Sequence, residues 1–228
     1  MGSSGVAKRS LRRAGRGTRK PPPKSRRLSK KFAEKLTSER SKEPNRSGKP
    51  LKVLAFDEAR FGLINWHTRR YCPKGFRPPY TVRRAYKWTY LYAAVDPTKG
   101  ESYCLYLPGM DSGCLQSFLK GLSEAYPDHH LLVVLDGAPS HRSEEIELPE
   151  NVSFLRLPAY SPELNPVERW FLEFRKELSN RIFESVELLQ AAISHTLKPY
   201  WQEPARLRRL VGYSWWLKAV SSLGHQCA

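Results

Sequence analysis

The chain has 228 residues, 40% hydrophobic and 11% aromatic, with a formal net charge of +17. That is enough apolar material for one substantial core, and no apolar run approaches the roughly 20 residues a membrane helix needs. The charge is uneven: residues 1–50 hold 17 Lys and Arg against 3 Asp and Glu, and residues 51–228 hold 22 against 19.

Residues 1–49 are therefore read as a basic arm, poor in apolar side chains, broken by Pro and Gly, and mostly disordered when free. Lys and Arg in such an arm supply sequence-independent affinity for phosphates, so nucleic acid is the expected partner, against a solvated tail or an organellar transit peptide. No signal-peptide apolar region follows, and the chain reads as soluble and cytoplasmic. The four cysteines (Cys72, Cys104, Cys114, Cys227) have no zinc-type spacing and read as reduced thiols, and His129-His130 reads as surface or loop.

Composition changes abruptly after Pro50. Leu51–Phe56 is apolar, ends on Asp57 and predicts a strand, with Phe61–Trp66 returning beside it as a hairpin partner. Between Arg69 and Lys87 lie seven basic residues (Arg69, Arg70, Lys74, Arg77, Arg83, Arg84, Lys87) and no acid, interleaved with Tyr71, Phe76, Tyr80 and Tyr86 and followed by Trp88. As a group they suit phosphate contacts, with a solvated charged hairpin as the alternative; the aromatics suit base stacking or packing on the sheet.

Two strands are expected in YLYAAVD and ESYCLYLPG, joined by a turn at residues 97–100. Leu115, Phe118, Leu119, Leu122 and Tyr126 repeat at helical spacing. LLVVLD at 131–136 is apolar at every position before Asp136, the pattern of a central strand buried on both faces. VSFLRLP at 152–158 predicts another strand, and helices are expected from Pro166 and over about 186–201. The order indicates an α/β fold with a mixed sheet flanked by helices.

In such folds sites gather at the carboxyl ends of strands. Asp57 and Asp136 each end an apolar strand, where an acid is either a turn cap or a ligand. Glu168 follows two prolines in YSPELNPVERW; Asn165 suits an N-cap, Pro166 the first helical position and Glu168 the third residue of a capping box. Three carboxylates at one sheet edge repel as bare anions, and hard divalent cations such as Mg²⁺ relieve that. Two ions about 3.5–4 Å apart can activate a nucleophile and stabilise the leaving oxygen of a phosphodiester. Glu58 should face the opposite side of the strand and ranks only as auxiliary, like His141, which could approach a scissile phosphate but suits a helix start, and Asn165, chiefly a cap that fixes Glu168.

FDEARFGL, VVLDGAPSH and YSPELNPVERW, in this order, resemble the catalytic domain of DDE transposases of the mariner-like superfamily, in its bacterial insertion-sequence branch. The 31 residues between Asp136 and Glu168 are close to that family's interval and slightly short of it. The resemblance implies a ribonuclease-H-like catalytic domain over 50–202, a helical tail over 203–228, and Asp57, Asp136 and Glu168 as the acidic triad holding two Mg²⁺ ions, with Mn²⁺ as a substitute. It also implies cleavage of transposon-end DNA and strand transfer into target DNA, and the joining of two ends fits a homodimer. The family's tandem helix-turn-helix units have no room here, so residues 1–49 are expected to be a linker left after their loss. A catalytically silent DNA-binding remnant and a structure-selective nuclease of the same fold are the alternatives.

Overall fold

The computed structural model describes residues 32–38, 48–64, 66–69, 71–76, 79, 85–136, 146–157 and 162–224. The expected hairpin after Asp57 is not formed. Instead β1 runs unbroken from Leu51 to Gly62. Beyond Asp57 the chain keeps a two-residue alternation, with Ala59 and Phe61 buried on one face and the exposed Arg60 on the other, and β2 (Trp88–Asp96) pairs with it as far as Gly62 opposite Trp88. Gly62 is required there, because a Cβ would meet the Trp88 ring at 2.1 Å.

β3 (Glu101–Leu107) follows β2 through the expected turn, where Gly100 takes a left-handed φ of 78° with its Cα against the carbonyl of Pro204. β4 (His130–Leu135) and β5 (Val152–Arg156) add to the other side of β1. The sheet order is β3-β2-β1-β4-β5, antiparallel between β1, β2 and β3 and parallel between β1, β4 and β5. All six residues of β4 are buried, as expected of a central strand. His130 is the correction to the reading of residues 129–130 as surface: it is the first residue of β4, buried, with Nε2 2.9 Å from Ser153 Oγ.

Helices cover both faces. α2 (Ser112–Ala125), capped by Asp111, packs Leu115, Phe118, Leu119 and Leu122 on Leu54, Phe56, Tyr92 and Val133. The opposite face, with Val53, Ala55, Ala59 and Val134, carries α3 (Pro166–Leu178), α4 (Val186–Gln202), α5 (Pro204–Val211) and α6 (Ser214–Gly224). Leu207, Val211, Trp216, Ala219 and Leu223 lie in that same core, so residues 203–224 are continuous with the body. So is part of the basic arm: residues 32–38 form a short helix, α1, that buries Phe32 and Leu36. Phe32 stacks on Trp216 at 4.9 Å and meets Trp215 edge-on at 5.3 Å. Residues 1–31 and 39–47 of the expected arm lie outside the described residues.

Candidate active site

The register of the sheet determines where the acids fall. Between β1 and β4 the parallel pairing ends at Ala55 and Val134, and Asp57 in β1 and Asp136, the residue after β4, each stand two positions beyond that last pair. Neighbouring strands are about 4.8 Å apart, so the two aspartates start from adjacent backbone positions. Asp57 alternates with the buried Ala55 and Ala59 on the α3 side, and Asp136 is the exposed residue that follows β4, whose Leu132 and Val134 lie on that side. Directly across from Asp57 on β2 stands Ala93. The aspartate is thus flanked by alanines, which leave room above it.

α3 brings the third acid. Asn165 caps this helix by accepting the Val167 N–H at 3.2 Å, and Pro166 occupies its first turn. The same Asn165 amide donates to the Phe56 carbonyl at 2.9 Å, a buried bond 109 residues long in sequence. One side chain therefore starts the helix and ties that start to the residue before Asp57. Glu168 sits in the first turn, where a carboxylate is favoured by the helix dipole. Its return bond to the cap amide, the second half of a capping box, is absent among the described residues; Glu168 Oε2 lies instead 3.9 Å from Arg175 Nη1.

Asp57 registers the field of its neighbours. Its carboxyl is held well above the ordinary carboxylate range, first by burial, then by the charges of Glu168, Glu58 and Asp136; the Glu58 N–H that Asp57 Oδ1 accepts at 2.9 Å acts in the opposite direction. The three acids thus act on one another electrostatically. Among the described residues, however, no group of three His, Cys, Asp or Glu side chains is gathered closely enough to enclose a cation. The donor set itself suits a hard divalent ion: all oxygen, all carboxylate, with an uncompensated negative field at Asp57.

The other expected residues divide. Glu58 points to the α2 face, opposite Tyr92, as strand alternation requires, and its charge helps hold the Tyr92 phenol well above its ordinary value after burial itself. Arg69, Lys74 and Lys87 are exposed on the connection between β1 and β2, and Tyr71, Phe76 and Tyr86 are exposed beside them. Trp88 belongs to β2, with the Arg60 guanidinium 4.7 Å from its ring. Arg70, Arg77, Arg83, Arg84, Tyr80 and His141 lie outside the described residues. Sequence reasoning passed over Arg175, which packs on the Trp66 ring at 5.1 Å while facing Glu168. The signal was available, since residues seven apart share a helix face; nothing local marked Trp66.

A mixed five-stranded sheet in the order 3-2-1-4-5, with helices on both faces, is a ribonuclease-H-like architecture. Residues 52–190 match the family profile of the DDE superfamily endonuclease, and the chain belongs to that family. The uncharacterized protein y4pE/y4sA of Sinorhizobium fredii is 37% identical over 102 residues, 44% of this chain and 76% of that protein. Among solved structures, the Mos1 strand transfer complex superimposes with a TM-score of 0.55 at 20% identity over 96% of this chain and 68% of that one. The Mos1 paired-end complex with Mg gives 0.55 at 21% identity, over 93% and 66%. The chain spans about two thirds of the Mos1 polypeptide, and at these identities the likeness shows the fold.

Proposed function

We propose that this chain is the catalytic domain of a DNA transposase, cutting transposon-end DNA and joining the freed 3′-hydroxyl to target DNA with divalent metal ions held by Asp57, Asp136 and Glu168. The observation that carries the reading is that Asp57 and Asp136 each stand two positions beyond the last β1–β4 pair and that Asp136 and Glu168, the latter from a helix that Asn165 ties to Phe56, both act on one carboxyl, that of Asp57. Family membership supports endonuclease chemistry, and the likeness to Mos1 complexes supports the strand-transfer step and the pairing of two ends, for which a homodimer is the natural assembly.

Bound Mg²⁺, or Mn²⁺ in its place, supplies Lewis-acid activation of the attacking oxygen and stabilisation of the leaving one. Asp57, within β1, provides the fixed side of the site, with Asp136 immediately after β4. Asp57, with its raised proton affinity, must give up a proton before it can ligate, which makes ion affinity rise with pH. Glu168 provides the movable side from a helix turn. The exposed Arg69, Lys74 and Lys87 attract the phosphate backbone, and the exposed Tyr71, Phe76 and Tyr86 offer faces to unpaired bases at a cut end. Glu58, on the other face, has no part in ligation. The proposed DNA substrate fits a chain that works at the nucleoid of a bacterial cytoplasm; no described helix is long and apolar enough to cross a membrane.

A joining assay with pre-cleaved transposon-end DNA tests this. Mg²⁺-dependent strand-transfer products that vanish in Asp136→Asn support the reading. Nicks without joined products point to a structure-selective nuclease, and DNA binding indifferent to both metal and substitution points to a silent remnant.

A further inference from the structure

Resting on the metal-site reading above, we infer that Arg175, seated on Trp66, is a positioning residue that holds Glu168 as its counter-charge until a divalent cation takes over that role. Three observations meet here. Glu168 and Arg175 are seven residues apart, two turns of α3, which puts both on the same helix face with Nη1 and Oε2 3.9 Å apart. The other side of the guanidinium rests on the Trp66 ring at 5.1 Å. And the three acids, although they repel one another across the site, are not gathered into a cation-binding group.

The Trp66 support is itself fixed to the far end of α3. The Trp66 carbonyl accepts the Asn180 N–H at 2.8 Å, and the Asn180 amide donates to Thr68 Oγ1 at 2.8 Å. Asn180 does this from a left-handed backbone, φ 60°, a conformation that asparagine tolerates better than most residues. The base of the β1–β2 connection and the end of α3 thus form one clamp around the arginine.

The pair is nevertheless not locked. At 3.9 Å it is longer than a direct hydrogen bond, and Arg175 Nε is buried with no partner, so the two-pronged geometry that makes arginine–carboxylate pairs strong is not used. A pair of this kind is weak enough for a divalent ion to displace. It also competes with that ion, because a cation beside a ligand carboxylate lowers the carboxylate's affinity for a second cation.

The test is a titration of free Mn²⁺ by electron paramagnetic resonance against the full chain, with circular dichroism to check folding. Arg175→Met should tighten Mn²⁺ binding by about two- to fivefold, the range expected for a partly exposed ion pair. Trp66→Leu, which leaves the arginine in place but unsupported, should tighten it less, and should add nothing in the Arg175→Met background. Unchanged or weaker binding in a folded Arg175→Met chain overturns the inference, as does a Trp66→Leu effect that persists without the arginine. If Arg175→Met does not fold, Trp66→Leu decides by the same sign. Glu168→Gln separates the two levels: if it leaves Mn²⁺ binding untouched, the metal-site reading itself fails, whereas weakened binding there with no gain in Arg175→Met sinks only the positioning role.

Discussion

Strand β1 puts an ionisable side chain into the protein at each of two places, and the structure treats them in opposite ways. At Lys52, on the α2 face, the buried ammonium is hydrogen-bonded to Glu101, lies 3.3 Å from Asp96 Oδ2 and sits over the Tyr126 ring at 4.8 Å. Asp96 is in turn held by the N–H groups of Thr98 at 2.8 Å and Lys99 at 3.2 Å. Burial alone would lower the Lys52 pKa, but the Glu101 bond and the Asp96 and Glu101 charges outweigh it and hold the ammonium above its ordinary value. Five residues on and on the other face, Asp57 faces the negative charges of Glu168, Glu58 and Asp136, with the Glu58 N–H acting against them. One region resolves its charge internally and contributes to the fold. The other sets its charges against one another, the arrangement that the proposed cation site would use.

That contrast can be broken by substitution. The largest effect is expected at the acidic end: Asp57→Asn or Asp136→Asn should lower Mg²⁺-dependent DNA cleavage on the order of 10³-fold, read from single-turnover assays, because a ligand and a charge are both lost. Next, Lys52→Met should destabilise the chain by roughly 3 kcal/mol in urea unfolding, since it strands a buried Asp96 without its counter-charge. The difference should stay flat through neutral pH, because Lys52 is protonated in both folded and unfolded chains until pH passes its ordinary value of 10.5.

The pH dependence at Asp57 has the same sign but falls in a lower window. Its folded pKa lies above the unfolded one, so between the ordinary 3.8 and that raised value the folded chain binds more protons, and stability falls as pH rises through the window. Asp57→Asn should therefore make the metal-free chain more stable than wild type at neutral pH, and the advantage should vanish at pH 3 and shrink when Mg²⁺ is added. Smaller again is Asn165→Ala, expected to cost about 1–2 kcal/mol for the lost cap and the lost bond to Phe56. Asn165→Asp keeps the cap acceptor but loses the donor and sets a buried carboxylate against the Phe56 carbonyl, so it should recover little of the stability, and cleavage should stay low, if placing Glu168 is what that donor does.

The sequence made the sheet legible wherever the pattern was local. β4 and β5 appear as apolar runs, α2 and α3 as helical stripes, and the three acids stand out because each interrupts or follows such a run. The hairpin expected at Phe61 failed because Asp57, Glu58 and Arg60 look like a strand end, whereas the pairing with β2 sustains the strand through them. Only the partner strand supplies that information. The Lys52 cluster was invisible for the same reason, as Glu101 is 49 residues away. So was the docking of Phe32 on Trp215 and Trp216, which draws part of a basic arm into the core through an aromatic contact across the whole chain. Asn165 was readable as a cap from its place before Pro166; its second bond, to Phe56, depends on the sheet.

The central claim is that Asp57, Asp136 and Glu168 converge on shared metal ions, and the most direct measurement is anomalous scattering from crystals of this chain grown with Mn²⁺. The account predicts a peak within about 2.2 Å of carboxylate oxygens from both Asp57 and Asp136, with Glu168 turned from Arg175 toward the same ion or its neighbour. Ordered Mn²⁺ found elsewhere, with Asp57 and Asp136 bare and Glu168 still on Arg175, would contradict it.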